Sequence, residues 1–480
     1  MNPVGSFTIT ADTSQSFARL SGDHNPLHLD AVAARRTQFG RTLIHGVCGT
    51  AQAIDLWLAS NPGHAALKKM KVRYAKPITQ GEEITLLAEH QADKIRLELH
   101  ANGTRCQMID LEFAGEDAGP MLQPEFSPAV DNPPPCQEPD IATCQGHCAA
   151  ADLVWDAALA EQLFPHAAAK LPPRQLASLL ATTQIVGMQC PGLHSVYSNL
   201  ELEFIEAGDA ASTSQLHYSV GTADARFNRV VMGVCNAYVQ GTIEAFFRAV
   251  PAEQASMSEV TKAVPANTFT GQKALLVGAS RGLGEVMAKV LAAGGAEVVL
   301  TYARGHDDAE QVAADIATER AQPAILQHNV LSGDIGGDLE QSLTDITHVY
   351  YLASPIIEKG ETGRWNGELF ARFCHFYIDG LAALLEHTRK VVGKERAMHL
   401  FIPSSVFLDG GIKGFDEYIA AKHAAEAYAE RFVSAHKNWS VNAPRLPRLR
   451  TDQTSGVDDS GPDETLSVIA ALLQETYPAA

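Results

Sequence analysis

The stretch that most limits how this chain folds is Gly278-Ala279-Ser280-Arg281-Gly282-Leu283-Gly284. It follows the apolar run Ala274-Leu275-Leu276-Val277 and opens a helical segment. Glycines at a strand-to-helix turn permit a tight bend and a close backbone approach to a pyrophosphate. Short apolar runs recur at Val298-Val299-Leu300, Val349-Tyr350-Tyr351-Leu352 and Leu400-Phe401-Ile402, with helical patterns between them. Continuous apolar strands alternating with helices predict a Rossmann-type, doubly wound parallel sheet over residues 269–480.

Farther along stands Tyr418-Ile419-Ala420-Ala421-Lys422, with Ser405 thirteen residues before Tyr418. With the Gly-x-x-x-Gly-x-Gly spacing, this set resembles the short-chain dehydrogenases/reductases (SDR). The resemblance implies a ketoreductase in which Tyr418 protonates a carbonyl oxygen as hydride arrives. Lys422 would lower the tyrosine pKa and hold the nicotinamide ribose, and Ser405 would hydrogen-bond the substrate oxygen, with Ser404 as a competitor one residue off in spacing. Gly278, Ser280, Arg281, Gly282, Leu283 and Gly284 would cradle the cofactor. Asn329 and Val330 would border the adenine, and Ala353 the nicotinamide. Arg281 and Arg304 favour NADPH, since either suits a 2′-phosphate and no acid occupies Thr301, Tyr302 or Ala303. The sequence departs from the family at Val277, at Leu352-Ala353-Ser354 and at Tyr377, which lies near the usual helix asparagine. Pro444–Pro447 and Thr451-Asp452-Gln453-Thr454 fall where the family keeps its covering loop.

A second dense motif lies near the start. Ser21-Gly22-Asp23-His24-Asn25-Pro26-Leu27-His28-Leu29-Asp30 packs carboxylates, an amide and two imidazoles around a proline. Pro26 lacks an N–H and disfavours helical geometry at Asn25, which predicts a turn or broken loop. His45-Gly46 then opens an apolar helix on which Val47, Ala51, Ile54 and Leu58 form one stripe. The run Phe17–His28 followed by His45-Gly46 resembles the MaoC-like, (R)-specific enoyl hydratases. That resemblance implies a hotdog fold and reversible hydration of a trans-2-enoyl thioester without a cofactor. Asp23 and His28 would hold and activate the water, Asn25 would orient one of them or the water, and the Gly46 N–H would stabilise the oxyanion. His45 is expected to be structural. No metal is expected, because Pro26 keeps His24 and His28 off one helix face.

Between these motifs the pattern divides the chain further. Residues 1–114 read as the first hotdog, with Asn102-Gly103 as a hairpin turn between alternating runs. Residues 115–149 read as a Pro-rich linker. Residues 150–250 repeat a helix followed by alternating strands, but lack the polar motif, and so read as a degenerate second hotdog. Residues 251–268 read as a second linker. Cys136, Cys144, His147 and Cys148 fit no common zinc spacing and read as incidental.

A formal net charge of −19 argues against nucleic acid or an anionic membrane surface as partner. No apolar run is long enough to span a bilayer, residues 1–20 lack a signal-peptide pattern, and the eight cysteines are scattered. These features predict a cytoplasmic protein, expected as a homo-oligomer, a dimer. Together the motifs predict a bifunctional acyl-thioester enzyme of fatty-acid or polyketide type, acting on acyl-CoA or acyl-carrier-protein substrates. It would join NADPH-dependent 3-oxoacyl reduction to (de)hydration. One alternative keeps only the hydratase active, with the last unit as a cofactor-binding scaffold. Another is a non-catalytic acyl-carrier-binding subunit.

Overall fold

In the computed structural model, the alternating runs of the first 250 residues become one ten-stranded antiparallel sheet. The structure describes residues 1–64, 66–91, 94–114, 125–205, 214–333, 335–410, 412–452, 454 and 464–477. Its first five strands are β1 (Asn2–Thr8), β2 (Leu67–Tyr74), β3 (Glu83–Gln91), β4 (Lys94–Ala101) and β5 (Thr104–Phe113). They lie in the order β1-β3-β4-β5-β2. The next five are β6 (Cys148–Asp152), β7 (Ser195–Phe204), β8 (Gln215–Asp224), β9 (Arg229–Cys235) and β10 (Val239–Phe247). Read inward from the opposite edge, they run β6-β8-β9-β10-β7. Each half thus places its first, third, fourth, fifth and second strands in sequence.

The halves join where β2 pairs antiparallel with β7, with Met70 opposite Leu202 and Val72 opposite Leu200. These four side chains are buried, while Lys69 and Glu201 pair at 2.8 Å where both are partly exposed. Alternation therefore does at the seam what it does within each half, since period-2 side chains separate core from solvent. Each half also has a long helix in the shared core. Gly46–Ser60 contributes Val47, Ala51, Ile54, Trp57 and Leu58, and Pro173–Gln184 contributes Leu176, Leu179 and Leu180. Burying one such aliphatic side chain contributes about 1.5–3 kcal/mol. The Gln175 amide clamps the Leu67 backbone, donating to its O at 2.8 Å and accepting from its N at 2.9 Å. At the hairpin between β4 and β5, Asn102 and Gly103 both take positive φ, as their residue types favour.

Two segments differ from expectation. The part of the first linker that is described, 125–149, is bound into the unit instead of hanging free. Val130 N donates to Arg19 O, Gln137 N to Met188 O, and Leu193 N to Gln137 O. Its prolines make it extended, and extended backbone still offers N–H and C=O groups that a neighbour can satisfy. Pro120 and Pro124 lie outside the described residues. The second linker carries a helix, Met257–Ala263, started by a Ser256/Glu259 capping box.

That helix belongs to the second unit, Pro251–Ala480. Lys289, 3% exposed, donates to the Ala255 carbonyl at 2.9 Å and pairs with Glu285 and Asp315, each at 2.7 Å. The unit's main sheet has β11 (Lys273–Val277), β12 (Glu297–Tyr302), β13 (Ala324–Gln327), β14 (His348–Tyr351), β15 (Met398–Phe401) and β17 (Trp439–Asn442). All are parallel, in the order β13-β12-β11-β14-β15-β17. A short pair, β16 (Ser404–Ser405) with β18 (Arg445–Leu446), extends past its C-terminal edge. The order reverses at β11, where the glycine-rich turn sits, and such switch points are where doubly wound sheets bind ligands.

Candidate active sites

The polar stretch 21–30 is more ordered than a broken loop. Pro26 occupies the first position of a four-residue helix, Pro26–Leu29, where its missing N–H has no intrahelical partner to lose. Asn25 caps that helix, its Oδ1 accepting from Leu27 N at 3.0 Å. His24 stands before the cap, so it does not share a helical face with His28.

Asp23 is fully buried, and the second half of the sheet holds it. Thr183 Oγ1 donates to Asp23 Oδ2 at 2.6 Å, and Asn25 N donates to Oδ1 at 3.1 Å. The carboxylate lies over Gly187, in a π-helical turn spanning Ile185–Gln189. A Cβ on Gly187 would come within 2.2 Å of Asp23 Oδ1, so any side chain there must displace the carboxylate. Burial raises the Asp23 pKa, and the nearby His28 and the Thr183 hydroxyl oppose that rise. The Asn25 amide nitrogen is spent on the second half as well, donating to Gly187 O at 2.9 Å and reaching Gly192 O and Leu193 O at 3.2 and 3.3 Å. Its oxygen and nitrogen are both committed to backbone. The Asn25 side chain thus holds the turn, and the Asn25 backbone N–H bonds Asp23, one of the pair this residue was expected to orient.

His28 Nδ1 faces the Leu43 carbonyl at 3.0 Å, which requires a proton there. In the neutral ring Nε2 then carries the lone pair. Burial lowers the His28 pKa, while Asp23 pulls it up. The His45 ring packs against His28 at a tilt, with centroids 4.0 Å apart, and its Nε2 reaches the Asp23 carbonyl at 3.0 Å. One ligand atom from each of Asp23, His28 and His45 lies within 4.8 Å of the others. Gly46 starts the long helix, so its N–H lies at the positive end of the dipole. A Cβ there would meet the Tyr74 ring at 2.9 Å, while Gly46 O accepts from Gln107 Nε2 at 3.2 Å. Thr183, Gly187, Tyr74 and Gln107 border these residues, and the motif did not disclose them. The only hint for Thr183 is a Thr-Thr pair inside an apolar helix, an unfavourable place for β-branched hydroxyl residues unless they bond something. A groove of about 790 Å³, lined in part by Lys69, Glu201, His217 and Cys235, contains none of these site residues.

In the second unit the glycine turn has the shape a pyrophosphate needs. Gly278 and Gly282 take φ of +87° and +55°. A Cβ on Gly284 would lie 2.2 Å from Gly278 O, and one on Gly278 would sit 3.1 Å from the Ala353 backbone. Thr301 Oγ1 accepts from Gly278 N at 3.2 Å, so a neighbouring strand supplies the hydroxyl that Val277 lacks. Ser280, Leu283 and Ala353 are half-buried around the turn, Val330 is buried, and Asn329 and Arg304 are exposed. Arg281 stands 3.9 Å from Asp452, which the covering loop brings over the turn together with Thr451 beside Gly282. Gln453 of that loop lies outside the described residues.

Ser405, Tyr418 and Lys422 come together as their spacing required. Ser405 lies near enough to Tyr418 to oppose the burial that pushes that phenol up to about 12. Lys422 Nζ donates to Pro403 O at 2.8 Å and lies 4.0 Å from the Tyr377 ring centroid. Burial brings its pKa down to about 8. Tyr377 sits in a second π-helical turn, His375–Asp379, and its hydroxyl bonds Ser354 Oγ at 2.8 Å. Two departures from the family pattern, Ser354 and Tyr377, thus contact one another, and Tyr377 covers the lysine.

Comparison with known proteins agrees with both halves of this description. The MaoC like domain family matches residues 2–107, and the short chain dehydrogenase family matches residues 272–347. A 3-oxoacyl-[acyl-carrier-protein] reductase from Synechocystis is 42% identical over 200 residues, covering 40% of this chain and 79% of that protein. The peroxisomal multifunctional enzyme type 2 of Drosophila melanogaster is 32% identical over 100 residues, 20% of this chain but only 14% of that protein. Among solved structures, a putative short chain dehydrogenase from Pseudomonas syringae aligns with a TM-score of 0.40 at 18% identity, over 45% of this chain and 93% of that one. Among the described residues no helix is long and apolar enough to cross a membrane. The chain carries a MaoC-like domain at its N-terminus and, through its second unit, belongs to the short-chain dehydrogenase/reductase family.

Proposed function

We propose that this chain is a bifunctional acyl-thioester enzyme: the second unit reduces a 3-oxoacyl thioester with NADPH, and the first interconverts the resulting 3-hydroxyacyl thioester and its trans-2-enoyl form. The observation that carries the reading is the pairing of buried Asp23 with half-buried His28 beside His45, the residue that precedes the Gly46 helix. In the hydration direction, Asp23 and the Nε2 lone pair of His28 hold a water between them. The pair takes one proton from that water as its oxygen bonds to C3, and returns a proton to C2. Charge that builds on the thioester oxygen meets the Gly46 N–H. Dehydration runs the same steps backward. Residues 150–250 act as a second hotdog that has kept its fold, lost its own motif, and serves the Asp23 site.

In the second unit Tyr418 gives its proton to the substrate oxygen, Ser405 holds that oxygen, and the Lys422 charge favours the phenolate left behind. The glycine turn fits the pyrophosphate, and the chemistry a bound NADPH supplies is hydride donation to the carbonyl carbon. Arg304, exposed just past β12, is the better placed of the two arginines for a 2′-phosphate, since Arg281 already faces Asp452. A second reading, with a silent reductase, is favoured by one observation, the Tyr377 ring covering Lys422. The test is to supply a 3-oxoacyl thioester with NADPH and look for the enoyl product by mass spectrometry. Tyr418→Phe is expected to stop NADPH oxidation and spare hydration of an added enoyl thioester. Asp23→Asn is expected to do the reverse, each by roughly 10²–10⁴-fold. NADPH binding without turnover would favour the second reading, and hydration unchanged in Asp23→Asn would remove the first site.

A further inference from the structure

At the end of β10, beside the Asp23 turn, lies a guanidinium with an uncompensated charge. Arg248 N donates to His194 O at 2.7 Å, and its Nη2 donates to Leu193 O at 2.8 Å. Leu193 O is the same carbonyl that the Asn25 amide reaches, so Arg248 and the motif turn share one anchor. Its other two nitrogens, Nε and Nη1, are shielded from solvent and have no hydrogen-bond partner among the described residues. Nor is Arg248 paired with a carboxylate there: Glu138, the nearby acid, is 3.2 Å from His194 Nε2 instead. Burial depresses the Arg248 pKa to about 10, and its charge is felt at His28. A half-buried cation whose shielded donors stand idle is costly unless an anion completes it. A guanidinium fork also matches a carboxylate better than it matches a lone carbonyl.

We infer that Arg248 is a specificity-determining residue of the hydration site, binding a carboxylate carried by the acyl portion of the substrate. The inference rests on the hydratase reading of Asp23 and His28. The phosphates of a carrier or coenzyme lie at the far end of the pantetheine arm, many bonds from the reacting carbons. Arg248 stands next to the turn that bears the catalytic pair. An acyl chain ending in a carboxylate brings its charge to that depth.

The test uses the full chain and two readouts. Binding, which needs no turnover, is measured by calorimetry with glutaryl- and pentanoyl-N-acetylcysteamine thioesters, which carry no phosphate. Wild type is expected to bind the glutaryl thioester about 30-fold more tightly, with the preference lost in Arg248→Met and partly kept in Arg248→Lys. Hydration is measured with glutaconyl and pentenoyl thioesters. Arg248→Met is expected to lower kcat/KM on glutaconyl by about 30-fold or more and leave pentenoyl within about threefold. Equal binding of the two saturated thioesters by wild type overturns the inference, whether or not Arg248→Met folds. So does an equal loss on both enoyl substrates, or an effect seen only with coenzyme A thioesters, which would mark a phosphate contact. Preferential glutaryl binding without any hydration would keep Arg248 as the carboxylate site and reject the hydratase reading.

Discussion

The two halves of the ten-stranded sheet share a strand order and divide the work unequally. The first half brings Asp23, His28 and the Gly46 helix start. The second lacks that motif, yet it supplies one of the two hydrogen bonds to the Asp23 carboxylate, from Thr183 Oγ1, together with the open face of Gly187 and the carbonyls that hold Asn25. A buried carboxylate is expensive to ionise, and its neighbours decide how expensive. The second half, which lacks the polar motif, is therefore constrained by shape and hydrogen bonding around the carboxylate.

The most severe break of this arrangement is Gly187→Ala. A methyl group placed 2.2 Å from Asp23 Oδ1 must push the carboxylate away, although residue 187 bears no reacting group. Hydration is expected to fall by about 100-fold or more, since misplacement near an ångström costs that much, while reduction by the second unit stays unchanged. Steady-state assays of both activities on one preparation check this. Next comes Asn25→Ala, which removes a helix cap and the shared donor to the second half. It is expected to cost about 2 kcal/mol or more of stability in the first unit, read from its denaturation midpoint. The third contrast is between the two sites. If hydration uses Asp23 ionised, it fails as pH falls, and at a higher pH than for an exposed aspartate, because burial raises the Asp23 pKa. Reduction needs Lys422 charged, so it fails as pH rises through about 8. Each limb is expected to approach about tenfold per pH unit. Parallel profiles would mean that one of these groups does not titrate as assigned.

Much of this was legible in the sequence because it was local. Period-2 runs, Asn102-Gly103, the glycine turn and the Tyr418–Lys422 spacing each encode their geometry within a few residues or one helix. Pro26 misled because its consequence depends on its place: inside a helix it breaks, at the first position it starts one. The bound segment 125–149 was hidden because an extended Pro-rich stretch looks alike whether free or docked. Its partners, Arg19 and Met188, are far away in sequence. Thr183 and Gly187 were illegible for the same reason, standing some 160 residues from the carboxylate they hold. Tyr377 was visible as a departure, but its contacts with Ser354 and Lys422 needed the π-helical turn that aims its ring.

The most direct test that the second half builds the hydration site is the pH profile of Thr183→Val. This change keeps shape and removes the 2.6 Å hydrogen bond to Asp23 Oδ2. That bond favours the ionised carboxylate, so without it the Asp23 pKa rises further. Hydration is predicted to drop by about tenfold near neutral pH, and its acid limb to move to higher pH. A profile whose acid limb stays in place, at any level of activity, would contradict the account.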